Sequence, residues 1–302
     1  MQYEIKRMEL GEVLDQAVKL MKNHFKMLFT ISCYLLIPLQ LAHQFAIYAI
    51  MPQMGRNPTP EEMKQFAAIM AGKAILVLLI TLVFVIFYLF IAWPLTNAAT
   101  LRAVASEYLG RHVTAGQAMK EALKLLLPLI GTTLLSGLII FLCYVPIGLV
   151  TVLSFAVIGP GFLAVAAIVL CAIPCAVASI YFALRYGLAQ FTVVIEERAG
   201  WEALQRSSAL MKGNMGALFV LGFLLAIIGG AAGMAAALIP FQPLQIVVSA
   251  LVQGALVVFG AAAGVVFYFS CRCKLENFDL TVLASAVAQD DAPTAPGAAT
   301  PQ

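Results

Sequence analysis

Apolar residues along this chain are gathered into four long stretches that contain no Asp, Glu, Lys or Arg. These stretches cover residues 27–55, 74–101, 125–184 and 213–271. A charge near the centre of a bilayer costs a few kcal/mol, and a helix that spans the hydrocarbon core needs about 20 apolar residues. The pattern therefore predicts a polytopic membrane protein of the all-α class.

The two longer stretches each have the length of two helices joined by a short turn. One helix of about 60 residues would run roughly 90 Å, far more than a bilayer needs. Turn residues stand where the chain must reverse, at Gly159-Pro160-Gly161 and at Pro240-Phe241-Gln242-Pro243. We therefore expect six transmembrane helices. Their approximate ranges are 27–51, 74–101, 125–150, 162–184, 215–239 and 244–270.

The basic residues predict how these helices are oriented. With six spans, both termini and the 102–124 and 185–214 loops share one side, which carries 15 of the 18 Lys and Arg residues. Because basic loops stay in the cytoplasm, we expect both termini there. The Pro-, Ala- and Thr-rich residues 289–302 are expected to form a disordered cytoplasmic tail. No nucleic-acid partner is expected, since the basic residues alternate with acidic ones.

Three similar amphipathic segments precede the odd-numbered spans. Residues 12–29 and 202–219 match at several positions, and a weaker third copy starts at Gln117. Each is expected to lie at the cytoplasmic interface with its apolar face in the bilayer edge. The pattern predicts three repeats of an interfacial helix plus a transmembrane hairpin. The first repeat is longer, which matches a predicted external loop at 52–73.

Several stretches resemble one bacterial family. They read GEVLDQAVKL at 11–20, TNAATLRAVASEYLGRHVTAGQAMKEAL at 96–123, EERAGWEALQRSSALMKGN at 196–214 and YFSCRCKLENFDLTVLA at 268–284. The resemblance is to the glycerophosphoryl diester phosphodiesterase membrane-domain family and the related YciC-like inner-membrane proteins. It implies a six-helix protein of the bacterial inner membrane. Some relatives carry a phosphodiesterase domain, but these residues leave no segment for one, so the resemblance implies no enzyme activity.

Each repeat ends in an arginine, namely Arg102, Arg185 or Arg272. A guanidinium group binds phosphate with two parallel hydrogen bonds, so these arginines are candidates for binding the headgroups of anionic lipids. The alternative is that each one reaches out to the interface and fixes the topology. Arg185 differs from the other two because apolar sequence continues beyond it to Ile195.

Four polar residues stand inside the predicted spans. Gln40, His43 and Gln44 lie within about one turn on the first span, and Gln253 lies at a similar depth on the last. They are expected either to hydrogen-bond between helices or to line a path for a substrate or protons. Carboxylates, which proton relays usually need, are absent from these stretches.

Small residues recur at four-residue spacing on the last two spans. Gly229 and Gly233 share one face, as do Gly260 and Gly264. Such pairs allow close backbone approach, either inside the bundle or at a homodimer seam. The six cysteines have no zinc-like spacing, so we expect no metal and no cofactor.

The leading hypothesis is a non-enzymatic inner-membrane protein that binds anionic lipid or a membrane-protein partner in envelope maintenance. No nucleophile–base arrangement, phosphate loop or dinucleotide fingerprint is present in the sequence. The alternative is a small-molecule transporter or permease component, with a path past His43, Gln44 and Gln253. A third hypothesis is a regulatory partner of a separate lipid-metabolising enzyme.

Overall fold

The fold is known from a computed structural model that describes residues 5–50, 59–157, 159 and 161–280, without the side chain of Met70. These residues form α-helices and one π-helical turn, and they contain no strand. The helices are α1 (Leu10–Tyr34), α2 (Leu36–Ile50), α3 (Pro60–Phe87), α4 (Trp93–Tyr108), α5 (Ala115–Leu142), α6 (Val145–Val157), α7 (Phe162–Arg185), α8 (Ala189–Glu196), α9 (Gly200–Leu210), α10 (Met215–Ala237) and α11 (Gln242–Glu276).

Five helical stretches are long and apolar enough to cross a membrane. A sixth span results if α1 and α2, which meet at an angle of 46°, are counted as one broken span. The prediction of an all-α polytopic bundle is therefore confirmed. The five stretches are Ala71–Tyr108, Ala115–Val157, Phe162–Glu196, Met215–Ala237 and Gln242–Glu276.

The first span is broken, where the sequence pattern predicted one helix over 27–51. The break lies at Leu35, three residues before Pro38. A proline ring clashes with the carbonyl group four residues earlier, here that of Tyr34, so α1 cannot continue through it. In α2, Pro38 stands in the first turn, where its missing N–H group is tolerated.

The predicted external loop at 52–73 is largely helical in the structure, which corrects that boundary. Residues 51–58 lie outside the described part, but α3 begins at Pro60 and runs through the rest. Thr59 caps it, because its side chain accepts a hydrogen bond from the backbone N–H of Glu62 and the Glu62 carboxylate accepts one from the N–H of Thr59. A proline at the first helical position is also favourable.

Proline also shapes the middle of two other spans. A π-helical turn, Tyr88–Ala92, joins α3 to α4 directly before Pro94, and this wider turn removes the usual clash of the ring. The predicted third span, 125–150, is interrupted at Cys143–Tyr144, after which α6 starts with Pro146 in its first turn. Pro160 of the next turn and the predicted tail at 289–302 lie outside the described residues.

The buried core lies at one end of the bundle, which we call the charged end. The charged end contains residues 5–24, 102–124, 185–214 and 272–280. The turn at 238–241, between α10 and α11, lies at the opposite end, which we call the hairpin end. Residues 261–271 of α11 are all buried, and α1, α4 and α10 pack against that helix. The apolar residues of the remaining spans are mostly exposed, as expected for side chains that face lipid.

The amphipathic segments pack on protein and not in the bilayer edge, which corrects the prediction for their apolar faces. Val13, Ala17 and Leu20 of α1 are fully buried in the core. Ala203 and Leu210 of α9 and Ala118 and Ala122 of α5 belong to the same core. The periodicity identified the apolar face correctly, but it could not show that α4 and α11 offer these faces a protein surface.

Candidate functional site

A central cavity of about 630 Å³ lies between α4, α8, α10 and α11. Its volume falls within the range of roughly 300–1,000 Å³ that is typical of small-molecule sites. Along α11 its lining runs from Ser249 to Ala261, a distance of about 18 Å at the rise of an α-helix. The cavity therefore lies within the membrane-spanning part of the bundle.

Three of the four glycines predicted to pack helices line this cavity instead. Gly229, Gly233 and Gly260 belong to its walls. A methyl group added to Gly233 or Gly260 would meet no atom within 4 Å, and one on Gly229 would be 3.7 Å from Leu256. At these positions the absence of a side chain leaves space that a ligand can occupy.

The fourth glycine, Gly264, is in close contact with an aromatic ring. A methyl group there would overlap with the ring of Phe191, a residue of α8 that also lines the cavity. Phe191 in turn stacks on Tyr268, with ring centroids 6.1 Å apart. Gly264 thus allows α8 to pack against α11 and sets the position of one cavity wall.

Polar groups enter the cavity as amides. Asn97 of α4 donates a 2.5 Å hydrogen bond to Gln190 of α8, and both line the cavity. Gln253 of α11 accepts a 2.8 Å bond from Gln40 of α2. Among the lining residues there is no Asp, Glu, Lys or Arg. The cavity is thus mostly apolar with a few converging hydrogen-bonding groups, the usual composition of a ligand site.

Sequence reasoning placed Gln40 and Gln253 together but missed Asn97 and Gln190. Asn97 lies inside the charge-free stretch 74–101, and Gln190 lies in the apolar run after Arg185. The signal that marks Gln253 is an amide within an apolar stretch. The same signal marks Asn97 and Gln190, which lie near the ends of such stretches. Their convergence depends on α8 folding back against α4, which no local pattern encodes.

A second cavity of about 250 Å³ lies nearer the hairpin end, between α2 and α11. His43 and Gln44 line it, together with Tyr48 and the first turns of α11. The His43 ring stacks on Phe84, with ring centroids 3.9 Å apart. Ser249 lines both cavities, so the two are neighbours along α11. Of the four predicted intramembrane polar residues, Gln253 lines the central cavity, and His43 and Gln44 line the second one. Gln40 lines neither cavity but bonds to Gln253.

Two of the three arginines that end the predicted repeats are bound by carboxylates. Arg102 donates to Glu121 at 2.8 Å and to the carbonyl oxygen of Val194 at 2.9 Å. Arg272 donates to Glu276 at 3.2 Å and stacks over the ring of Phe278. Their charges are largely neutralised within the protein.

Arg185 has different surroundings. Its Nε donates to the hydroxyl of Ser208 at 2.8 Å, and its guanidinium lies 5.9 Å from the ring centroids of both Tyr181 and Tyr186. In the described part of the chain it forms no ion pair, so its charge is not compensated by a carboxylate.

Comparison with known proteins assigns the chain to a family. Residues 1–290 match the model of a family described as a domain of unknown function, DUF8558. The chain belongs to the DUF8558 family. No curated protein and no solved structure matches it.

The DUF8558 chain has an ionic cluster below the central cavity, at the charged end. Arg206 of α9 donates to Glu196 at 2.9 Å and also binds Glu276, and Arg272 lies 3.7 Å from Glu196. The hydrogen bond to Glu276, supported by Glu196, raises the pKa of Arg206 above its ordinary value. Through these arginines the two glutamates connect α8, α9 and α11.

This cluster is connected to the cavity through Tyr268. The fully buried Tyr268 donates a 2.5 Å hydrogen bond to Glu196, and the ring of Phe191 stacks on it from the cavity side. The position of the cavity wall is therefore coupled by packing to the ion pairs at the charged end.

Among the described residues of this DUF8558 chain, no group of three or more His, Cys, Asp or Glu side chains is arranged to hold a metal ion. Cys271 and Cys273 are buried at the charged end, and Cys171 and Cys175 are one turn apart on α7.

Proposed function

We propose that this chain is a non-enzymatic, multi-pass protein of the bacterial inner membrane that binds an uncharged amphipathic molecule in its central cavity. The molecule would be a lipid or a lipid-like compound with hydroxyl or amide groups. The observation that carries the proposal is the cavity of about 630 Å³ with amides but no ionisable side chain in its walls.

The uncharged lining supports an uncharged ligand. An ion removed from water needs an opposite charge beside it, and the walls supply none. Asn97, Gln190 and Gln253 supply both donors and acceptors, which suit a hydroxyl or amide group, while the apolar walls suit an acyl chain. Ion pairs at the charged end hold several of the protein's carboxylates away from the cavity, which supports a binding role over catalysis.

Cytoplasmic termini are part of the same proposal. The charged end contains most of the basic residues, and basic loops remain on the cytoplasmic side of a bacterial membrane. We also propose kinship with the glycerophosphoryl diester phosphodiesterase membrane-domain family. The ALxRSxxLxKGN pattern at 203–214 supports it, and Arg206 of that pattern joins the ionic cluster.

Filling the central cavity is expected to abolish ligand binding. The double variant Gly233→Leu/Gly260→Leu places two side chains in open space and should lower capture of a photoactivatable monoacylglycerol by at least about tenfold, or 1.4 kcal/mol. Capture would be measured in proteoliposomes by mass spectrometry of the labelled peptides. The control is Gly230→Leu, which is exposed on α10 and does not line the cavity. Equal capture by the wild-type protein, the double variant and the Gly230→Leu control would refute the proposal.

Among the three arginines, we propose Arg185 as the residue that binds anionic lipid, because it alone has no carboxylate partner in the described part of the chain. A basic residue near an anionic surface contributes about 1 kcal/mol, so Arg185→Ala should lower retention of phosphatidylglycerol roughly fivefold. Native mass spectrometry measures the retained lipid. Arg102→Ala is the matched control, because Arg102 is already bound by Glu121 and Glu197. A larger lipid loss in the control would assign the headgroup site to Arg102 instead.

A second candidate function, transport of a small uncharged solute, is favoured by one observation. Ser249 lines both cavities, so opening the boundary between them would give a path from the hairpin end to the central cavity. The polar residues along it are those of the predicted path, His43, Gln44 and Gln253.

A further inference from the structure

Two buried polar atoms on α2 have no hydrogen-bond partner among the described residues. They are Oε1 of Gln40 and Nε2 of His43, which lie three positions apart on one face of the helix. A buried polar group without a partner is costly, and native structures contain few of them. These two atoms are therefore candidates for pairing with a hydrogen-bonding group of a ligand.

The position of these atoms is between the two cavities. The amide nitrogen of Gln40 donates to Gln253, which lines the central cavity, while His43 lines the cavity at the hairpin end. Ser249, one turn before Gln253 on α11, belongs to both linings. The Gln40–Gln253 hydrogen bond thus connects α2 to α11 beside two cavities that share Ser249 in their walls.

The surrounding packing fixes the two side chains in place. The His43 ring is held against Phe84, with a centroid separation of 3.9 Å. The backbones of α2 and α11 approach closely beside the amide pair, because Gly254 leaves room for Ile37. A methyl group at Gly254 would lie 2.8 Å from Cδ1 of Ile37. The contact between α2 and α11 next to the amide pair is therefore tight.

We propose that Gln40 and His43 bind the uncharged polar group of the ligand, and that the Gln40–Gln253 hydrogen bond is the closed state of a gate between the two cavities. The ligand's hydroxyl or amide donates to Oε1 of Gln40 and pairs with Nε2 of His43, whose role as donor or acceptor follows its tautomer. Release of Gln253 then joins the two cavities. The choice of ligand rests on the proposed function, whereas the gate itself does not.

The gate is tested without any ligand. In a background whose native cysteines are replaced by alanine, Val257→Cys reports on the central cavity and Gln245→Cys on the cavity at the hairpin end. A membrane-impermeant thiol reagent is added from the hairpin side of proteoliposomes. Gln40→Ala should raise the labelling rate at position 257 roughly fivefold, the factor expected when one hydrogen bond no longer holds the closed state.

The matched control for the gate is Gln44→Ala. Gln44 lies one turn further along α2 and lines the cavity at the hairpin end, but in the described residues it does not bond to Gln253. This variant should leave labelling at position 257 unchanged. If Gln40→Ala also leaves it unchanged while position 245 is labelled, the gate is overturned, whatever the outcome of the cavity-filling experiment.

The polar-group site is tested with two probes of the same chemistry. Monoacylglycerol in the vesicle represents a lipid headgroup, and glycerol in the buffer represents a free solute. Slower labelling of Gln245→Cys in the presence of monoacylglycerol supports the site and assigns its ligand to the membrane. Slower labelling in the presence of glycerol supports the site and assigns its ligand to solution. His43→Ala should remove the protection. No protection by either probe overturns the proposed recognition, and protection that persists in His43→Ala overturns the role of His43.

Discussion

Replacing Arg206 by alanine is expected to lower the free energy of unfolding by about 3 kcal/mol, at the lower end of the range for breaking a buried ion pair. The guanidinium of Arg206 is bound by Glu196 and Glu276, and the side chain of Glu196 is 11% exposed. Without Arg206, Glu196 would keep its charge in a partly buried position with less compensation. Thermal unfolding in detergent, followed by circular dichroism, measures the loss as a lower Tm.

The control for this experiment is Arg198→Ala. Arg198 also pairs with Glu196, at 3.5 Å, but its side chain is 55% exposed. Exposed ion pairs contribute about 1 kcal/mol or less, so this variant should unfold close to the wild-type temperature. Equal changes in Tm for the two variants would show that the cluster does not stabilise the charged end.

Replacing Gly264 by alanine is expected to destabilise the protein by about 1–3 kcal/mol, the usual cost of overpacking a filled core. The added methyl group overlaps with the Phe191 ring, which is held between Gly264 and Tyr268. Phe191 also lines the central cavity, so the displaced ring should move into that space. We therefore expect both a lower Tm and reduced capture of the monoacylglycerol probe.

Two variants make this prediction specific. Gly260→Ala lies one turn earlier on the same helix, where the methyl group meets open space, and it should leave the Tm unchanged or slightly higher. The double variant Gly264→Ala/Phe191→Leu should recover probe capture, because the smaller side chain relieves the overlap. If Gly260→Ala and Gly264→Ala behave alike, Phe191 does not control the cavity wall.

Together these variants separate two parts of the molecule. The charged end is held by a buried core and ion pairs, whereas the two cavities line the part of α11 from Gln242 to Ala261, where fewer side chains are buried. Because Phe191 and Tyr268 connect them, a ligand in the central cavity would act on the packing around Glu196. That connection would allow occupancy within the membrane to be sensed at the charged end.

Some features of the candidate site could be predicted from the sequence. An amide in a charge-free span needs a partner, and Gln40 and Gln253 do bond to one another. The paired glycines on α10 and α11 were also conspicuous, but the structure uses most of them to line a cavity. A four-residue glycine spacing says that one face of a helix is small, and it does not say whether a helix, a ring or a ligand fills the space.

The arginines show a similar limit. Their position at the ends of hydrophobic spans predicted an interfacial location, but the carboxylate partners of Arg102 come from distant parts of the chain. Glu121 and Glu197 reach Arg102 across 19 and 95 positions of sequence. Whether a cation binds a lipid phosphate or a carboxylate depends on which helices meet there.

The sequence by itself determined the class of this protein, because the cost of burying charge in lipid confines all charged residues to the segments between the apolar stretches. It also determined which faces of α1, α5 and α9 are apolar. The tertiary structure alone decided what those faces pack against, which amides converge and where space remains. These features arise from long-range packing of α4, α8, α10 and α11, and the spacing of residues within one helix carries no information about the gap between two of them.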